Sequence, residues 1–282
     1  MRDHRALLSF LLWFSSQVHA SGVVDIATDA RFEPAVAAAG MQHPAAFKAR
    51  GIYLSAPVDT SKDVVLFVHG ARGTPRDFAD IASELDRTRQ QAWFAYYATG
   101  DAIADSAHAL ALDVLAMMKE HGIARISVFA HSMGGLVAWQ AIAELERQVT
   151  VERFVSVNTP WGGDPAAQLG AWFSPSPLPI WFDLAPGSQA LQAIRQQRLK
   201  TPFTLVYTVR PAGRGSTGDG TVSLRSQTVP DIERQAVSVV RETGTHMSVL
   251  QGRSAAHLSL LLGAPGSWTQ ARLGQSTAAA NP

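Results

Sequence analysis

Ser132 is the residue whose type and setting most plainly allow chemistry. It sits in residues 126–135 (ISVFAHSMGG), between an apolar β-branched run and a helical stretch, with Ala130 two residues before it and Gly134 two after. Small residues at both places let a strand and a helix pass closely, which forces the serine onto a strained turn that thrusts its hydroxyl outward. Alanine meets that demand, because a methyl is the smallest side chain after glycine. A chance Ser-x-Gly turn would need neither the strand before nor the helix after. A serine alone is a weak nucleophile. It needs a neighbouring base, and the base needs an orienting acid; together they carry out acyl transfer through a covalent acyl-serine.

The chain supplies a frame for these groups by alternating strand and helix. After a loose segment over 21–62, residues 63–69 (DVVLFVH) read as a buried parallel strand closed by Gly70. Thr74-Pro75 reads as an N-cap with proline at the first helical position, and Phe78, Ile81, Ala82 and Leu85 give that helix one buried face. Residues 91–98, 125–130, 153–157, 202–209 and 237–241 are further predicted strands. Residues 102–121, 135–147 and 247–262 are predicted helices, the first carrying a Leu110, Val114, Leu115, Met118 stripe. This alternation predicts an α/β fold, a mostly parallel sheet with helices on both faces. The sequence holds no internal repeat.

At this point the chain resembles a known family. Ala130-His131-Ser132-Met133-Gly134-Gly135 is similar to the elbow of α/β-hydrolase lipases and esterases, and residues 63–71 (DVVLFVHGA) to their oxyanion strand. Gly218-Asp219-Gly220-Thr221-Val222 resembles the acid loop of lipase-like and lecithin–cholesterol-acyltransferase-like members. Asn158-Thr159-Pro160-Trp161-Gly162-Gly163 resembles the loop after their next strand. The similarity spans about residues 62–262, with alanine at 130 as its departure.

The resemblance implies the chain order serine, acid, histidine. Asp219 fits the acid, in a glycine-rich loop beyond the 202–209 strand; Asp231, opening a Pro-Asp turn, fits less well. His246, directly after the last strand, fits the base, whereas His257 falls mid-helix. His69 and His131 come too early for that role and read as structural, His69 bonding backbone in the oxyanion loop. The oxyanion hole is expected from the backbone N–H groups of Met133 and Ala71, with Arg72 the neighbouring possibility. The implied activity is cleavage of carboxylic esters. Acyl transfer to an alcohol and thioester cleavage are open to the same trio, and a non-catalytic binding protein on this fold is the rival from another class.

Composition limits the remaining possibilities. The 282 residues are 46% hydrophobic and 17% charged, with no cysteine, which excludes disulfides, thiolate nucleophiles and cysteine zinc sites. Twenty-four basic and 23 acidic residues form no basic stripe, so no nucleic-acid partner is expected. No metal-ligand spacing and no phosphate-binding glycine loop is present, so no cofactor is expected. Residues 1–20 show the layout of a cleavable secretory signal: Arg2 and Arg5, an apolar core, then Val18-His19-Ala20. Its removal takes Arg2, Arg5 and Asp3, leaving 22 basic and 22 acidic residues and an exported, periplasmic or secreted chain without a stable membrane span. The chain divides into signal (1–20), N-terminal segment (21–62), hydrolase domain (63–262) and a flexible tail (263–282).

Residues 171–186 (AWFSPSPLPIWFDLAP) fit neither helix nor strand period. They read as an inserted lid or acyl-binding wall over the site, or as a proline-stiffened loop on the core. Trp161, Trp172, Phe173, Trp181 and Phe182 are the candidate contacts for a small-molecule or lipid ester, with medium or long acyl chains expected.

Overall fold

The computed structural model describes residues 22–211 and 218–263. The signal expected over 1–20, the tail expected over 264–282 and residues 212–217 ahead of Asp219 lie outside the described residues. Eight strands form one sheet among them: β1 (Gly22–Val23), β2 (Gly51–Leu54), β3 (Asp63–Val68), β4 (Gln90–Tyr96), β5 (Arg125–His131), β6 (Thr150–Val157), β7 (Phe203–Val209) and β8 (Ser238–Thr243). Their order is β1-β2-β4-β3-β5-β6-β7-β8, and only the β2–β4 pairing is antiparallel.

The helices are α1 (Pro34–Gln42), α2 (Ala79–Ser83), α3 (Ile103–His121), α4 (Gly134–Leu145), α5 (Pro165–Phe173), α6 (Pro179–Leu184), α7 (Gln189–Gln196), α8 (Leu224–Gln227), α9 (Pro230–Glu233) and α10 (Gly252–Leu260). Thr74 caps the turn before α2 in a reciprocal box with Asp77. The closing helix is shorter than expected: a 3₁₀ turn at Ser248–Leu250 precedes α10, and Gly252, at φ 52°, breaks the run.

Helices cover both faces, so β3 is apolar from Val64 to Val68 rather than alternating. Along β3, Val64, Leu66 and Val68 join one core with α3, α4 and α7; Val65 and Phe67 join the other with α2 and α10. The loose reading of 21–62 is corrected by β1, β2 and α1. Ile52, Tyr53 and Phe32 are buried there, and Tyr53 OH donates to the Ala49 carbonyl. Short elements held by tertiary contact leave little periodic signal in sequence.

Candidate active site

All the site loops leave the carboxyl end of the parallel strands, where open α/β sheets place their sites. Arg72 (φ 57°), Ser132 (φ 56°) and Asn158 (φ 54°), just beyond β3, β5 and β6, are the three non-glycine residues with left-handed backbone among those described. Such strain costs roughly 1–3 kcal/mol per residue and persists only where the surroundings impose it.

At Ser132 the surroundings are visible. Its N–H donates to the Val157 carbonyl at 2.8 Å, and α4 begins two residues later. A Cβ on Gly134 would stand 2.3 Å from the His69 carbonyl oxygen, and one on Gly70 would stand 2.7 Å from Ser132 Cβ. Neither position accepts a side chain without moving backbone or the Ser132 side chain.

The structure brings Ser132, His246 and Asp219 into one hydrogen-bonded row. Ser132 Oγ lies 3.0 Å from His246 Nε2, and His246 Nδ1 lies 2.7 Å from Asp219 Oδ2. A carboxylate only accepts, so Nδ1 carries the ring proton and Nε2 is free to accept from the serine hydroxyl. Asp219 is buried, and its other oxygen accepts the N–H groups of Thr221 (2.8 Å) and Val222 (2.7 Å). His246 is further held through its peptide, its N–H donating to the Asp219 carbonyl at 3.0 Å.

The other histidines and Asp231 are engaged elsewhere. His69 is fully buried, its ring stacked on Tyr97 with centroids 4.4 Å apart, and its Nδ1 donates to the Gly70 carbonyl at 2.9 Å. His131 Nε2 donates to the His246 carbonyl at 2.9 Å. Burial pushes His69 down to about 4; burial and then the neighbouring His246 push His131 down to about 3, so both rings stay neutral. His257 contacts Glu242 from α10, and Asp231 pairs with Arg234. Beside Ser132, the backbone N–H groups of Ala71 and Met133 have no acceptor among the described residues, whereas the Arg72 N–H donates to Thr99 Oγ1 at 3.1 Å.

Residues 59–172 match the family described as "Putative serine esterase (DUF676)". The chain is 31% identical over 115 residues to the abhydrolase domain-containing protein C22H12.03 of Schizosaccharomyces pombe. That alignment covers 39% of this chain and 42% of the relative, so the chain spans under half the length of the curated relative it matches. The backbone is similar to that of the mature Bacillus licheniformis lipase BlEst2, with a TM-score of 0.61 at 19% identity, over 75% of this chain and 97% of the lipase. The protein has the α/β-hydrolase fold. Aspergillus fumigatus lipase B is similar at a TM-score of 0.55 and 15% identity, over 74% of this chain and 55% of that one.

Within this α/β-hydrolase fold the connection from β6 to β7 differs from the irregular segment expected at 171–186. It is helical over most of its length. Asp164 caps α5 ahead of Pro165, and Pro179 opens α6, so two prolines start helices where a proline costs no hydrogen bond. The Ile180 N–H donates to the Gly100 carbonyl, and Asp183 accepts the Ile103 N–H at 2.7 Å, tying α6 to the start of α3. Trp181 packs on Gly170, while Trp172 and Phe173 are 66% and 77% exposed and Phe182 is 52% exposed.

Trp161 is a correction. It is fully buried between Trp139 and Phe203 and presents no surface to a substrate; aromatic type alone could not reveal which side of the loop it takes. Asn158 enters the sequence reading only as the first residue of a loop, with no role of its own. It is buried, and its Nδ2 donates to the His246 carbonyl at 3.3 Å. An asparagine closing a strand is a known bearer of left-handed backbone, and that was the available signal.

Among the described residues no cluster of three or more histidine, aspartate or glutamate side chains could hold a metal ion. No described helix is long and apolar enough to cross a membrane.

Proposed function

We propose that the protein is an exported carboxylic ester hydrolase acting through an acyl-serine intermediate. The observation that carries this reading is the row Ser132 Oγ, His246 Nε2, His246 Nδ1, Asp219 Oδ2, at 3.0 and 2.7 Å, built on a left-handed serine. Ser132 Oγ attacks the ester carbonyl while His246 Nε2 takes its proton. Asp219 holds the imidazole and stabilises its positive charge. The carbonyl oxygen gathers negative charge and is met by the N–H groups of Met133 and Ala71, a pair without acceptors among the described residues. His246 returns the proton to the leaving alcohol, then activates a water that releases the carboxylic acid and regenerates the serine.

The preferred substrates carry medium or long acyl chains. Trp172, Phe173 and Phe182 are exposed aromatics on the segment leaving β6 at the site end of the sheet, and the chain without residues 1–20 is neutral and so has no long-range pull on anions. Export rests on the signal layout of residues 1–20, and N-terminal sequencing of the protein from culture fractions tests it. The enzymatic test combines fluorophosphonate labelling with hydrolysis of p-nitrophenyl esters. The purified protein labels and turns over, and Ser132→Ala does neither. Equal hydrolysis by the two proteins overturns the assignment.

A further inference from the structure

Strand β7 outlasts its neighbour. The last β6–β7 pair is Val157–Val206, after which β6 turns away, its last bond to β7 running from the Asn158 N–H to the Val206 carbonyl. Thr204, Val206 and Thr208 share one parity along β7. The backbone N–H and C=O of Thr208 therefore point to the side where no strand follows. A buried peptide group without a partner is costly, so something must fill this place.

The side chain of Gln227 fills it. Its Oε1 accepts the Thr208 N–H at 2.9 Å, and its Nε2 donates to the Thr208 carbonyl at 3.2 Å. The amide acts as one more peptide unit of β6. The second Nε2 hydrogen goes to the Val222 carbonyl at 3.0 Å, so all three polar functions of a fully buried glutamine are used. The partners also fix the amide's orientation, since two carbonyls face its nitrogen and one N–H faces its oxygen.

Val222 links this amide to the acid. Its carbonyl also receives the Asp219 N–H at 3.3 Å, and its own N–H donates to Asp219 Oδ1 at 2.7 Å. Oδ1 is thereby occupied, and Oδ2 is left to face His246 Nδ1.

We propose that Gln227 is a positioning residue that locks the Val222 turn to the end of β7 and so sets the carboxylate of Asp219 against His246. The proposal rests on the hydrolase reading of Ser132. The acid loop is also joined to the end of β7 by the bond from the Arg210 N–H to the Gly218 carbonyl at 3.0 Å, one residue before the acid.

The test compares the unaltered protein with Gln227→Leu, which keeps volume and loses every bond, and Gln227→Glu, which keeps shape and loses both donors. Misplacing a group by about 1 Å costs on the order of 100-fold in rate, so kcat falls about 10- to 100-fold while KM stays within twofold. A carboxylate drawn away from His246 stabilises its protonated form less, so the acidic limb of the kcat/KM profile moves to lower pH. Both variants are checked for cooperative unfolding, and Gln227→Met replaces one that does not fold. Folded variants with unchanged kcat and an unmoved limb overturn the proposal, as does a loss of thermal stability alone. Absence of labelling and turnover in the unaltered protein overturns the hydrolase reading itself.

Discussion

The ring of His131 holds the backbone of His246: Nε2 donates to its carbonyl at 2.9 Å, and the two ring centroids lie 4.6 Å apart. The residue before Ser132 thus anchors His246, three residues beyond β8, across 115 positions of sequence. With Asn158 on the same carbonyl and Asp219 on the N–H, the peptide of His246 is gripped on both sides.

Replacing that donor loosens the histidine while the core stays filled. His131→Phe keeps an aromatic ring, somewhat larger than imidazole, and leaves the His246 carbonyl with Asn158 alone. It should lower kcat/KM about tenfold, within the range for a misplaced catalytic group, with little change in KM. Initial rates across substrate concentrations measure this, and wild-type kinetics in a folded variant would refute the clamp.

The buried histidines make stability pH-dependent. Their ordinary value is 6.5, against about 4 for His69 and about 3 for His131. Below 6.5 the unfolded chain binds protons that the native rings refuse, so their contribution is complete above that value and shrinks as pH falls toward 4. Asp77 opposes them. Burial raises it from 3.8 to about 6, so its contribution is present below 3.8 and is lost as pH rises through 6. Burial also raises Asp101 and Asp183, which act in the same sense as Asp77, but the two histidines carry the larger shifts. The melting temperature should fall between pH 6.5 and 4.5, less steeply in His131→Phe and more steeply in Asp77→Asn. A melting temperature that stays level over this interval speaks against neutral His69 and His131.

Gly134 has no room for a methyl group. Gly134→Ala brings Cβ against the His69 and Val68 carbonyl oxygens at 2.3 and 2.4 Å. Moving β3 or α4 to relieve that clash should cost on the order of 3 kcal/mol. Expected together are a lower denaturant midpoint and weak fluorophosphonate labelling of Ser132. Unaltered stability and labelling would mean that the strand and helix approach less closely than described.

The exposed aromatics are open to substitution without harm to the core. Trp172→Ser with Phe173→Ser removes two rings 66% and 77% exposed, and such surface changes alter stability by about 0.5 kcal/mol or less. The ratio of decanoyl to acetyl ester turnover should drop severalfold. An unchanged ratio would show that these rings take no part in acyl selection.

Some of this was present in local sequence. A serine between a β-branched run and a helix, flanked by Ala130 and Gly134, calls for a strained turn because the steric demand arises within five residues. The buried strand β3 is legible for the same reason, since a strand covered on both faces reads as a nearly continuous apolar run. The order of Ser132, Asp219 and His246 also named the three groups that meet. What joins residues far apart in sequence was decided by the tertiary structure. Trp161 and Trp172 are the same residue type eleven positions apart, yet one is sealed against Trp139 and the other faces solvent, because only the packing of the β6–β7 segment distinguishes its inner side from its outer. The helices at 165–184 depend on where prolines fall relative to caps, and a proline at a helix start looks in sequence like a helix breaker. Gln227 bears no sequence signal. Its role exists because β6 ends at Val157 while β7 runs on to Val209, and strand lengths relative to one another are a property of the assembled sheet.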